Sequence, residues 1–382
     1  MEDDLKMHFL SCGGEFNHHA NFMCDSLYKL LGENYIRLST QNIAGEREKL
    51  GYINYDKTKY NILNTNNDIE SVKKYIEWCD VLDYGAASEL YLNEAIKQNK
   101  IVFIRIERLF KEGFWKILYP PVFFRYYRKY IKHRNNRNVY FLCISAYAAS
   151  DLRKIGIKNE RILEWGYCPY FEPLNIENIS VSNKDHIDIL WCGRLIEWKH
   201  PELAVEVAKK LKQINIPFKM KIIGEGKMKS SIIELIKKYD LDKNIELIGS
   251  VKSDCIRDYM KRSDIFLGTS DKNEGWGVVI NEAMNSGCCV IARTEMGSVP
   301  FLINNMENGV SINSNYIEKA ASKIEYFYNN PFELKRIREN AYITIKTKYN
   351  PDLYAKRFEF ISKCALESKT IEIQDGLGKR VY

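Results

Sequence analysis

Short runs rich in β-branched and aromatic residues alternate with helix-length amphipathic stretches along this chain, and the alternation restarts halfway. That pattern confines the fold to the α/β class with doubly wound parallel sheets, since each parallel strand needs a crossover, usually a helix, before the next can begin. Strands are expected in the first half at Met7–Cys12, Tyr35–Ser39, Val81–Tyr84, Ile101–Ile106 and Val139–Ser145. The second half offers Ile187–Cys192, Phe218–Ile223, Ile245–Ile248, Ile265–Leu267 and Cys288–Ala292. At 382 residues the chain exceeds what one hydrophobic core usually serves. Two domains are therefore expected, 1–170 and 171–350, with the Pro-bearing and then polar stretch from Cys168 to about Asp185 as the linker. Pro351–Leu366 reads as a further helix, at the head of a tail covering about 351–382.

Composition narrows the class further. Hydrophobic residues make up 45% of the chain, enough for a globular core. The ten cysteines fall at irregular spacings without a Cys-x-x-Cys pair, several inside apolar runs, and read as reduced core residues. The acidic start Met1-Glu-Asp-Asp-Leu is unlike a leader, and the longest apolar stretch, Val139–Ala149, is too short to span a bilayer. A cytoplasmic protein is expected, at most peripheral on the inner face of the membrane.

The residues that carry chemistry lie in the second half. In Glu274-Gly-Trp-Gly-Val-Val-Ile-Asn-Glu282 two carboxylates flank a turn, where Gly275 and Gly277 free the backbone to approach a ligand before a helix over Val278–Met284. The spacing puts Glu274 on a loop and Glu282 about two turns into the helix. Free N–H groups at a helix start attract anions, while acceptor-only carboxylates suit hydroxyls. A sugar attached to a diphosphate has both. Upstream, Cys192-Gly193-Arg194-Leu195-Ile196-Glu197-Trp198-Lys199-His200-Pro201-Glu202 follows a strand. An Arg fork matches phosphate oxygens in pairs and a Lys ammonium adds a mobile charge, so Arg194 and Lys199 together can neutralise a diphosphate.

The two blocks, in this order, resemble the retaining glycosyltransferases of family 4, whose donor domain carries a Gly-Arg…Lys element followed by Glu, seven residues, Glu. The resemblance is strong over about 187–312 and weaker over 1–170. It implies a GT-B fold of two Rossmann-like domains facing across a cleft, an acceptor domain first and a nucleotide-sugar domain second, with the C-terminal helix crossing back. It implies transfer with retention from a nucleotide sugar, uridine being favoured by family habit, to a glycan or lipid-linked acceptor in cell-surface polysaccharide assembly. Arg194 and Lys199 would then stabilise the leaving diphosphate without a metal, and no cofactor is implied, the nucleotide sugar being a substrate. Glu274 would position the transferring sugar, and Glu282 would hold the ribose hydroxyls. Gly193, Gly275, Trp276, Gly277 and Val278 would line the donor. An epimerase or phosphorylase can share this fold, and a donor-binding subunit without turnover would keep the same residues.

Weaker signals surround these blocks. Gly224-Glu225-Gly226 is either a tight strand-to-helix turn or, as in similar enzymes, a wall for the base together with Gly249-Ser250. In the first half Gly13-Gly14 would let the backbone approach donor phosphates, as in the family. Asn17 is a candidate cap, and His18 and His19 face acceptor or donor or merely cap a helix, since adjacent histidines lack metal-ligand spacing on a helix. Glu107 and Arg108 are candidates at the cleft rim. A histidine that many family members carry has no counterpart at Asp83-Tyr84-Gly85. Finally, Lys111–Arg137 sets eight Lys/Arg against Glu112 with aromatic residues interleaved, and the chain carries a net charge of +7. An anionic membrane surface, nucleic acid and a solvated basic face compete as readings, and no RRM, zinc finger or recognition helix favours nucleic acid.

Overall fold

In the computed structural model, residues 7–16, 18–42, 55, 57–65, 68–179 and 185–381 are described. They form two compact units, Met1–Pro169 with Lys348–Tyr382, and Tyr170–Thr347. In the first, strands β1 (Phe9–Gly13), β2 (Tyr35–Ser39), β3 (Asn61–Leu63), β4 (Val81–Tyr84), β5 (Ile101–Ile106), β6 (Val139–Cys143) and β7 (Ile162–Glu164) make one parallel sheet in the order 3-2-1-4-5-6-7. In the second, β8 (Ile187–Cys192), β9 (Phe218–Ile223), β10 (Ile245–Gly249), β11 (Ile265–Gly268), β12 (Cys289–Arg293) and β13 (Val310–Ile312) are also parallel, in the order 10-9-8-11-12-13. The architecture is α/β throughout, as the alternation requires. The strands absent from the expectation, β3, β7 and β13, lie at sheet edges and are three residues long, too short to show a period.

Alternate residues divide each strand between two faces. In the first sheet Leu10, Cys12, Leu38, Leu82, Val102 and Ile104 are buried in one core. The opposite face carries Phe9 and Phe103, which meet Phe358 of the helix Pro351–Leu366 at ring-centroid distances of 5.8 and 5.3 Å. That helix starts on Asn350, whose side chain accepts from the Leu353 N–H, and it lies against the helix His18–Leu31. In the second unit the corresponding core joins Ile189, Trp191, Ile222, Leu267, Ile291 and the helix Tyr316–Asn329.

The stretch expected as a linker, Cys168 to about Asp185, contains the division between the units, after Pro169, and its residues 170–179 are packed on the second unit. Asn285, buried at the end of the helix Val278–Asn285, accepts from the Glu172 N–H at 2.9 Å and donates to the Glu172 carbonyl at 3.0 Å. Phe171 stacks on Tyr342, and Tyr342 Oη accepts from the Leu174 N–H. The backbone of Glu172 and Leu174 is thus held by the side chains of Asn285 and Tyr342; residues 180–184 lie outside the described residues.

Candidate functional site

In an open parallel sheet the loops after two neighbouring strands diverge where the strand order reverses, and the opening left there takes ligands. In the second unit that point lies between β8 and β11. The loop after β8 carries Gly193, Arg194 and Lys199, and the loop after β11 carries Glu274. Topology therefore brings together two blocks that are 75 residues apart: Lys199 Nζ donates to Glu274 Oε2, both side chains mostly buried. Arg194 remains exposed, its guanidinium 5.4 Å from the Trp198 ring centroid, where the cation rests on the π face.

The two loops are clamped to each other. Asp271 N–H donates to the Trp198 carbonyl at 3.0 Å. Thr269 Oγ1 donates to the Lys199 carbonyl at 2.6 Å while accepting from the indole of Trp191 at 2.7 Å. His200 has a left-handed backbone (φ 49°) and lies between two carboxylates, with Nδ1 2.7 Å from Glu202 and Nε2 3.2 Å from Asp271. These three residues, His200, Thr269 and Asp271, were not singled out from the sequence. His200 and Pro201 stood inside the quoted block, and only the return of the β11 loop shows what the imidazole does.

Glu282 is the fifth residue of the helix Val278–Asn285 and so lies in its second turn, nearer the start than its spacing from Glu274 suggested. Burial raises its carboxyl pKa and the Arg257 charge counters the rise. The Cys192 thiol is pushed up to about 12, first by burial and then by Glu282, with Lys199 opposing. The end of β8 thus feels both Glu282 and Lys199. Gly277, at φ 86°, precedes the helix without a side-chain cap, and Val278 begins it, so the first N–H groups are available to an anion. Gly275 supplies the bend between Glu274 and the buried Trp276. Trp276, expected to line the donor, is buried. Its indole donates to Asn281 at 2.8 Å and its ring lies near Phe301, because the residue between two glycines is turned inward.

Gly224 and Gly226 are explained by the main chain they cross. A Cβ at Gly224 would lie 1.8 Å from the Gly193 carbonyl oxygen, and one at Gly226 would lie 2.3 Å from that of Leu195. The glycines let the β9 loop press against the Arg194 loop, tied by Leu195 N–H to the Glu225 carbonyl at 2.9 Å. Ser250 is exposed just after β10. A cavity of about 300 Å³ opens beside His200, Arg293 and Asn315, but none of Arg194, Lys199, Glu274 and Glu282 lines it.

In the first unit the strand order reverses between β1 and β4, and a glycine follows or ends each strand. A Cβ at Gly13 would lie 2.5 Å from Arg37 Nη2, and one at Gly85 would lie 2.6 Å from Arg105 Nη2. Arg105 Nε lies 3.0 Å from Asp83, which also accepts from Ser11 at 3.0 Å. Gly14 faces the Ala86 carbonyl and Gln41. His18 and His19 open the helix His18–Leu31; their side chains and Asn17 lie outside the described residues. Glu107 pairs with Lys111 at 3.8 Å, and the Arg108 guanidinium covers Tyr147 at 4.7 Å, so both have partners within this unit. Among the described residues no group of three or more His, Cys, Asp or Glu is placed to hold a metal, and no helix is long and apolar enough to cross a membrane.

These features define a two-unit parallel α/β protein with a cationic and carboxylate site on its second sheet, and the fold is that of the GT-B glycosyltransferases. Residues 174–344, which lie within the second unit, match the family model Glycosyl transferases group 1. The Gpi3 subunit of a phosphatidylinositol N-acetylglucosaminyltransferase of Schizosaccharomyces pombe is 32% identical over 121 residues, 32% of this chain and 26% of that protein. A poly(ribitol-phosphate) α-N-acetylglucosaminyltransferase of Staphylococcus aureus is 29% identical over 163 residues, 42% of this chain and 32% of its own. The matched parts thus span about a quarter to a third of these relatives. The crystal structure of Anabaena HepE in complex with UDP superposes with a TM-score of 0.69 at 14% identity, over 94% of this chain and 100% of that one, a likeness of fold.

Proposed function

We propose that the protein is a retaining glycosyltransferase that moves a sugar from a nucleoside diphosphate sugar, with uridine as the base, to a glycan or lipid-linked acceptor in the assembly of cell-surface polysaccharide. The observation that carries this reading is the gathering of Arg194, Lys199, Glu274 and Glu282 around the strand-order reversal of the second sheet. The UDP of the HepE complex and the sugar-transferring relatives support it. The diphosphate draws Lys199 away from Glu274 and meets the free fork of Arg194. Glu274, released, accepts from sugar hydroxyls, and Glu282 accepts from the ribose.

In the reaction the bond between the anomeric carbon and the diphosphate oxygen breaks, and the electron pair leaves with the diphosphate. The acceptor oxygen bonds to the same face of that carbon, and its proton passes to the departing phosphate oxygen. Arg194 and Lys199 stabilise the charge that develops on the leaving group, so no metal is required in this scheme. An acceptor linked to lipid would be met at an anionic membrane surface, which suits the basic and aromatic face of the first unit.

The test is a thermal-shift series with UDP, GDP, ADP and their sugars, because a ligand that binds only the folded chain raises its melting temperature. A rise with UDP that Arg194→Ala abolishes supports the reading. No rise with any nucleotide overturns it.

A further inference from the structure

We infer that the first unit docks on an anionic lipid bilayer through the 3₁₀ turn Phe114–Leu118 and the helix Pro120–Lys129 that follows it. The inference deepens the lipid-linked acceptor reading, but bilayer binding needs no donor, so the two can fail separately. Val122, Tyr126 and Tyr130, spaced i and i+4, seat the helix on the core of the first unit, and Tyr126 Oη donates to the Leu109 carbonyl at 3.0 Å. That stripe satisfies the helix's need for burial, so the other apolar residues are left outside. Leu118 is 82% exposed, Trp115 64%, Tyr119 62% and Phe124 58%. Phe123 and Tyr127 stack beside them, with ring centroids 6.0 Å apart. Single exposed apolar residues are ordinary, whereas a contiguous set on one turn and helix marks an interaction surface.

Charge selects the partner. Arg125, Arg128, Lys129 and Lys132 sit on or just after this helix, and Lys111 and Lys116 precede it. The acids paired with them are Glu112 with Lys116, Glu107 with Lys111, and Glu89 with Arg128 and Lys129, which leaves positive charge in excess. Aromatic rings at headgroup depth with cations around them match an anionic bilayer, which supplies both an apolar interior and negative headgroups. A protein partner of ordinary surface would leave the cations uncompensated, and a nucleic acid would leave Leu118 and Trp115 without an apolar host.

The experiment is sedimentation of the full chain with phosphatidylcholine vesicles, with and without about one third phosphatidylglycerol. Expected is binding to the anionic vesicles that weakens as salt rises and drops at least about tenfold in Trp115→Ser/Leu118→Ser/Phe124→Ser. These side chains are exposed, so the variant should melt like the parent; should it melt lower, Arg125→Glu/Arg128→Glu/Lys132→Glu gives an independent variant with the same expected loss. A chain that stays in the supernatant with anionic vesicles overturns the inference. So does a folded variant of either kind that sediments like the parent. So does self-association of the parent that these substitutions abolish, without vesicle binding.

Discussion

Lys199 donates its ammonium to the carboxylate of Glu274, joining the loops after β8 and β11. Each charge answers the other, and under the proposed function a diphosphate would have to displace Glu274 to claim the lysine. On that function Lys199→Met should lower sugar transfer about a hundredfold, by removing the charge proposed to meet the leaving group. Glu274→Gln frees the lysine and should hold UDP at least as tightly as the parent while transferring sugar far more slowly. Calorimetric Kd values for UDP beside steady-state turnover check this; weaker UDP binding in Glu274→Gln would contradict the exchange of partners.

Gly224→Ala should destabilise the second unit by roughly 3 kcal/mol or more, because the new methyl would overlap the Gly193 carbonyl and the backbone sits at φ 141°. Urea denaturation measures the loss. Gly32→Ala, at φ 58° with open space around it, gives for comparison the cost of an alanine at positive φ that meets no neighbour. Equal losses in the two variants would show that the crossing with Gly193 is unimportant.

His200→Gly keeps the left-handed backbone and removes the imidazole between Glu202 and Asp271. The melting temperature should change little while kcat falls roughly tenfold, since the Lys199 loop loses a tie to the Glu274 loop. His200→Asn, which also tolerates this backbone, should recover part of the rate. A large loss of melting temperature in His200→Gly with unchanged kcat would assign the residue to folding alone.

Glu164 ends β7 in the first unit, buried, and accepts from Tyr349 Oη. Burial pushes its carboxyl up to about 7, against 4.5 for the ordinary group, with the Tyr349 hydrogen bond opposing. The folded chain therefore holds a proton that the unfolded chain has released between these pH values. This contribution to stability is fully present below pH 4.5 and is lost as pH rises through about 7. Glu164→Gln should remove that slope, a change on the order of 3 kcal/mol between the two ends. Denaturation midpoints across this range read it directly; parallel curves for parent and variant would refute it.

The alternation of strands and helices, and the local blocks around Arg194 and Glu274, could be read from the sequence because their periods and residue types lie within a few positions of one another. The same locality leaves side-chain placement open, as at Trp276. It lies between two glycines, and its indole and ring meet Asn281 and Phe301 inside the second unit. Nor does locality show that Asn285, more than a hundred residues away, binds the backbone of Glu172. Strands β3, β7 and β13 are too short to carry a period and exist because a neighbouring strand offers its hydrogen-bonding edge.

By itself, then, the sequence determined the fold class and the chemical character of the second-unit site: cations after one strand, carboxylates around a glycine turn. Tertiary structure alone decided that Lys199 meets Glu274, that His200 bridges to Asp271, and that Gly224 yields to the Gly193 carbonyl. The physical reason is that periodicity and propensity act over a few residues, whereas these contacts depend on which strands become neighbours in the sheet. That order follows from burying the whole core, and no local stretch of chain encodes it.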